Sequence, residues 1–152
     1  MRVSARADYA VRAALELAAA PEGEPVKAEA IAEAQGIPHK FLESILGDMR
    51  RARIVVSQRG GNGGYRLAAP PESISVADVI RAVDGPLVSV RGARPPELSY
   101  TGPAESLLPI WVAVRANVRK ILGEVSLADV ASARLPAAVH TLAEHPDAWT
   151  NP

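Results

Sequence analysis

Ile54 to Ala68 reads IVVSQRGGNGGYRLA, two short strand-like pieces around a cluster of four glycines. This is the pattern of a β-hairpin with a glycine-rich tip. Ile54, Val56, Tyr65 and Leu67 alternate within their strands and are expected to lie on a core, although Val55 interrupts the alternation. Gly60, Gly61, Gly63 and Gly64 allow the tip to take positive φ and to approach another surface closely. From Arg50 to Arg66 the chain carries five arginines and no carboxylate. A thin basic finger of this kind on a helical body reads as a wing for DNA.

The segment before the finger supplies that body. A short helix is expected from about Ala28 to Ala34, with Lys27 near its cap and Gly36 making the turn. Pro38 suits the first turn of a third helix, where its missing N–H is not needed. That helix is expected to run to about Arg53, with Leu42, Ile45, Leu46 and Met49 inward at i, i+3, i+4 and i+7. His39, Lys40, Glu43 and Ser44 are left on its outer face. Short helix, glycine turn and second helix make a helix-turn-helix, whose second helix enters the major groove by its N-terminal residues. With the adjoining hairpin, the module is a winged helix.

An earlier helix is expected from a Ser4 cap to about Ala20, with Ala7, Ala10, Val11, Ala14, Leu15 and Ala18 on its apolar face. Arg2, Arg6 and Arg12 read either as a solvated face or as contacts to the DNA backbone. After the wing, Ser75 to Asp78 resembles a capping box, opening a helix with Val76, Val79, Ile80 and Val83 inward. Residues 84–103 are rich in glycine and proline and read as an irregular, mobile loop. A long helix follows from Ala104 or Ser106 to Leu122. Leu107, Trp111, Val114, Val118 and Ile121 are spaced four, three, four, three, an a/d seam extended by Ile110 and Leu122. Arg115, Arg119 and Lys120 are expected on its far side. An ordinary core helix has the same pattern, but its place after a complete small domain favours a symmetric dimer helix. Ser126 to Asp129 is another cap-like start, a last helix covers Pro136 to Glu144, and Trp149 suggests a docked tail.

Composition narrows the function. Lysines and arginines balance aspartates and glutamates at 17 each, so positive charge is segregated rather than global. The absence of cysteine excludes disulfides, thiol catalysis and thiolate-bound metal. His39, His140 and His145 form no recognisable metal set, so no metal or other cofactor is expected. Asp8 and Glu16 interrupt Met1–Ala20, so no signal peptide is read, and no apolar run reaches membrane-spanning length; a cytoplasmic protein is expected. Gly60–Gly64 satisfies neither the dinucleotide fingerprint nor the P-loop, and no hydrolase elbow or zinc-protease motif is present. An enzyme is therefore not expected.

These residues resemble the Rrf-two family (the IscR/NsrR/CymR-like group) of bacterial winged-helix transcription regulators. The likeness rests on Ala7-Asp8-Tyr9-Ala10-Val11-Arg12-Ala13, Ala30 to Pro38, Phe41 to Leu46, and Arg59-Gly60 through Gly63-Gly64-Tyr65-Arg66-Leu67-Ala68. Val79 to Gly85 and Ser126 to Val130 also fit, and the likeness covers about residues 1–132. It implies a mainly α fold with a small hairpin wing: a DNA-binding domain at 1–83, a loop at 84–103, and a dimerisation helix with helical tail at 104–152. It implies a homodimer on a palindromic operator in double-stranded DNA. Glu43 and Arg59 fall at DNA-reading positions, with Arg59 in the minor groove and Glu43 either accepting from a cytosine amino group or repelling wrong bases. Arg51 and Arg53 suit phosphate contacts, and Gly60, Gly63 and Gly64 shape the tip. Iron–sulfur members carry three cysteines in the loop before the dimer helix; this chain has none there. Asp8 matches an extra cluster ligand of some relatives, but pairing with Arg12 at i+4 is preferred. The function expected is a cluster-free regulator, a repressor, sensing either a small molecule or a protein partner docked on the loop or tail. Tyr100 and Trp111 read as effector-pocket walls or as plain dimer core.

Overall fold

The computed structural model describes residues 1–151, and its architecture is mainly helical with one two-stranded antiparallel sheet. Helix α1 (Ala5–Ala19) lies at the centre. Ser4 caps it by accepting from the Ala7 N–H at 2.9 Å, and Ala20, preceding Pro21, leaves the helix in an extended conformation. The stripe it buries is Ala7, Ala10, Ala13, Ala14 and Leu17. The face is thus rotated from the expected one: Val11, Leu15 and Ala18 lie at its half-buried flanks. Small side chains let other helices approach α1 on several sides, so burial follows its neighbours rather than residue size.

Helix α2 (Ala28–Gln35) ends at Gly36, whose φ of 62° is the left-handed cap that glycine adopts without strain. Pro38 then precedes helix α3 (His39–Arg51), where Leu42, Ile45, Leu46 and Met49 are all fully buried, as their spacing predicts. The helix stops at Arg51, short of the expected Arg53, which instead takes a left-handed turn with φ of 61°.

Strands β1 (Val55–Gln58) and β2 (Gly64–Leu67) pair Val55 with Leu67 and Ser57 with Tyr65. Directly opposed residues share a face, so the inward residue of β1 is Val55, at 1% exposure. The expected Ile54/Val56 register is corrected by this pairing: Val56 sits opposite Arg66. The sheet has a further edge contact. Val26 and Tyr65 exchange two N–H···O bonds of 2.8 Å, joining the wing to the segment before α2.

Helix α4 (Val76–Asp84) begins with a complete Ser75/Asp78 capping box and buries Ala77 and Val79, with Val76, Ile80 and Val83 only partly covered. Residues 84–103 form no long element, but they are packed: Val88, Pro95 and Leu98 are buried. A 3-10 turn then leads into helix α5 (Leu107–Glu124), which starts slightly later than expected and holds Pro109 in its first turn. None of its side chains is fully buried. Helix α6 (Leu127–Ala131) opens with a second capping box, Ser126/Asp129. The two box segments pair with each other, Val76 N–H to Val125 O and Leu127 N–H to Ile74 O, both at 2.9 Å. Leu127 enters the same core as α1 and α3. The chain thus returns after α5 to add Leu127 to the core around α1 and α3. Helix α7 (Ala137–Ala143) follows. Trp149 is 81% exposed within its own chain, and its indole N–H donates to the Ala143 carbonyl.

One carboxylate ties α1 to α3. Asp48 accepts from Arg6 and from Arg51, and Arg6 also donates to Ser44 Oγ at 3.1 Å. The Arg6 hydrogen bond, aided by Arg51, holds the Asp48 carboxyl below its ordinary range, against the opposing effect of burial. A carboxyl whose pKa falls on folding contributes stability that is complete above its unfolded value of about 3.9 and is lost as pH drops through the folded value. Asp48→Asn is expected to cost on the order of 1 kcal/mol at pH 7, a fall in Tm of about 2–4 °C for a chain of this size. The deficit should shrink as pH falls below about 4. Thermal melts from pH 7 to pH 2 check this, and a gap that stays constant contradicts it.

Candidate nucleic-acid interface

The wing tip spans residues 59–63, between Gln58 and Gly64, which pair as the last residues of the ladder. The Gly63 N–H donates to the Gly60 carbonyl at 2.9 Å, closing a tight turn. Its glycines serve different needs. Gly60 has φ of 105° with open space around it, so its requirement is conformational. A Cβ on Gly63 would lie 2.2 Å from the Gln58 carbonyl oxygen, so here it is close backbone approach that excludes a side chain. A Cβ on Gly64 would lie 2.5 Å from the Val26 carbonyl oxygen, where the wing root presses on the chain before α2. Gly61 meets neither constraint.

Arg59 is exposed at the strand end, and no ion pair engages it among the described residues. The same holds for Lys40, Arg50, Arg53 and Arg66, and for Lys27, which the hairpin pattern gave no reason to single out. The Val26–Tyr65 bridge brings Lys27 beside the wing root; the apolar Val26 inside an otherwise polar loop was the only sequence signal for that contact. Arg51 is 69% exposed at its side chain but is paired with Asp48. Arg6 and Arg12 are also engaged. Arg12 pairs with Asp8 at 3.0 Å, donates to the Gln35 carbonyl at 2.7 Å, and stacks 4.9 Å from the Tyr9 ring centroid. Their charges are spent within the fold.

At the N-terminal end of α3, His39, Lys40, Glu43 and Ser44 are exposed as expected. His39 lies between two carboxylates, Glu43 at 3.4 Å and Glu29 of α2 at 3.6 Å, ion pairs only when the ring is protonated. Phe41 is half exposed on the same turn, with its ring edge-on to Tyr9 at 6.1 Å. The potential here is mixed, in contrast to the purely positive wing.

The seam of α5 is only partly covered. Trp111, Val114, Val118 and Ile121 are half-buried, while Leu107 and Ile110 are exposed, Ile110 at 52%. Arg115 and Arg119 do not point to the far side as expected: they face α4 and the 85–88 segment. Among the described residues, neither Tyr100 nor Trp111 lines the cavities of about 530, 450 and 350 Å³. The Trp111 indole N–H is buried without a partner. Tyr100 is half-buried beneath the Arg91 guanidinium, 5.8 Å from its ring centroid. No helix among the described residues is long and apolar enough to cross a membrane.

Comparison with known proteins gives this geometry its context. Residues 3–133 match the model of the Rrf2 family, described as an iron-dependent transcriptional regulator. The chain is 51% identical over 144 residues to an HTH-type transcriptional regulator of Mycobacterium tuberculosis, covering 95% of this chain and 89% of that one. It is similar in structure to CymR, the global cysteine regulator of B. subtilis, with a TM-score of 0.74 at 29% identity over 88% of this chain and 98% of that one. The IscR of T. potens gives a TM-score of 0.68 at 28% identity, over 100% of this chain and 93% of that one.

The iron of the family description finds no fitting donor set here. The chain has no cysteine, and the described residues include no cluster of three or more His, Asp or Glu side chains able to hold one ion. Asp8 is engaged by Arg12. The match over residues 3–133, on a helix-turn-helix that runs into a two-stranded hairpin, shows that the chain belongs to the Rrf2 family of DNA-binding transcriptional regulators.

Proposed function

We propose that the chain is a cluster-free, homodimeric repressor in the bacterial cytoplasm that reads a palindromic operator with α3 and the wing. The observation that carries this reading is Arg59: an exposed guanidinium without an ion pair, at the end of a hairpin shaped by Gly63 and Gly64. A planar cation held on a narrow finger suits a narrow, negative minor groove. His39, Lys40, Glu43 and Ser44 are the proposed major-groove set. Arg51 and Arg53 are the proposed phosphate contacts, with Arg51 sharing its charge with Asp48. Dimerisation through α5 is supported by a helix of 18 residues that buries none of them fully and exposes Leu107 and Ile110. Two copies related by a two-fold axis read the two halves of a palindrome.

The controlling signal is proposed to be a small molecule. The alternative, a protein docked on the tail, draws on Trp149 and Leu142, both exposed. DNA affinity that changes with a purified protein and with no metabolite selects the second.

Three measurements test the proposal. In competition titrations at fixed salt, Arg59→Ala should lower the ratio of operator to random-DNA affinity, at a cost of roughly 1–3 kcal/mol per site. Arg53→Gln, which removes charge at the left-handed turn, should weaken both affinities alike and lower the salt slope by about one per subunit. Equal losses on both DNAs for Arg59→Ala make the wing an electrostatic clamp only. In sedimentation, the chain should be a dimer at micromolar concentration and Ile110→Asp a folded monomer, because that site is already half open to water within one subunit. A monomeric parent chain overturns the dimer. Finally, protein made and kept without oxygen should be colourless; stoichiometric iron and sulfide in such a preparation contradict the cluster-free reading.

A further inference from the structure

Four arginines outside the DNA face converge on one cavity. Arg81 comes from α4, Arg94 from the segment before the 3-10 turn at Pro95–Glu97, and Arg115 and Arg119 from successive turns of α5. Together with residues 85–88 they line a space of about 450 Å³, and no carboxylate is part of its wall. Arg81 is paired with Asp78 at 3.5 Å, but Arg94, Arg115 and Arg119 carry no ion pair among the described residues. The loop wall is anchored, because Val88 and Pro95 are buried.

Like charges one helical turn apart repel. A surface that only needed solubility would place these side chains apart and interleave them with acids. Here three separate elements bring four guanidinium groups to one concavity, and among the described residues only Arg81 has a carboxylate partner. The arrangement is costly when empty and favourable once an oxyanion enters. Guanidinium forks match phosphate oxygens in pairs, and several of them favour a ligand with more than one negative charge. The volume lies in the range of small-molecule sites.

We propose that this cavity binds a small phosphate ligand of diphosphate type, one per subunit, which ties α5 to α4 and to the segment between them. The site is separate from α3 and the wing and does not depend on how they read DNA.

Titration calorimetry on the full chain without DNA tests this. Inorganic pyrophosphate is the probe, citrate is the polycarboxylate control, and ADP shows whether an esterified diphosphate is also taken. The expected result is saturable pyrophosphate binding with one site per subunit, and citrate at least tenfold weaker. Binding of ADP as tight as pyrophosphate assigns a nucleotide-like ligand, and its exclusion assigns the free anion; either fits the proposal. The double variant Arg115→Gln/Arg119→Gln should lower pyrophosphate affinity at least tenfold, while Arg59→Ala leaves it unchanged. If the double variant fails to fold, judged by circular dichroism, Arg94→Gln takes its place with a loss of at least threefold. No saturable binding, citrate as tight as pyrophosphate, or loss in Arg59→Ala but not in the α5 variant each overturns the proposal. Because no DNA is present, such a failure leaves the operator reading standing.

Discussion

The structure depends on how closely other elements can approach α1. Ala7, Ala10, Ala13 and Ala14 have no solvent exposure, and helices α2, α3, α4 and α6 all contact this one helix. A methyl side chain adds little thickness and loses no rotamer freedom on burial. Four small residues therefore admit backbones that larger ones would hold away, and the bulk of the core comes from Ile31, Leu42, Ile45, Leu46 and Met49 on the surrounding elements. The orientation of α3, and with it the placement of its exposed N-terminal face, is thus set against α1. The Arg6–Asp48–Arg51 group fixes the same pair of helices at the other end of α3.

The wing inherits its position from this body by two routes. Along the chain, the left-handed turn at Arg53 and the bond from Ile54 N–H to Met49 O lead directly from α3 into β1. Across space, Val26 pairs with Tyr65 and presses on Gly64. A two-stranded hairpin alone is marginal in water. Anchored at both its start and its root, this one presents Arg59 from a defined place relative to α3. Glycine is needed at positions 63 and 64 because backbone occupies the space of a side chain, a requirement different from the turn conformation at Gly60.

What could be read from sequence follows the range of the forces involved. The α3 stripe, the Gly36 turn, both capping boxes and the hairpin are local patterns, and each is where its spacing predicts. The recognition-helix residues are exposed, and Asp8 pairs with Arg12, for the same reason. The misreadings are all tertiary. The rotation of the α1 face depends on which helices surround it. The Val55 register is decided by the opposite strand, and Val56 looked equally apolar. Leu127 lies far along the chain from the core it completes. Arg115 and Arg119 are expected on the side opposite the seam, but both face α4 and the 85–88 segment, which also approach the seam residue Val118.

Net charge of zero and DNA binding are compatible because the structure sorts its cations by task. Arg6 and Arg12 are engaged by carboxylates within the fold and act as internal braces, and Arg51 shares Asp48 with Arg6. Among the described residues the wing arginines have no carboxylate partner, while Glu29 and Glu43 stand beside His39 at the start of α3. Sequence-independent affinity grows with the number of phosphates neutralised, so a sparse set of free cations keeps that component low. On the proposed reading, carboxylates at the major-groove face lower it further, because they repel any duplex that offers no donor in return. Discrimination is a difference between affinities, and a weak hold on random DNA raises it as effectively as a strong hold on the operator. A globally basic surface would sacrifice that difference; on the proposed reading, free cations at the finger and the end of α3 beside carboxylates at the start of α3 preserve it.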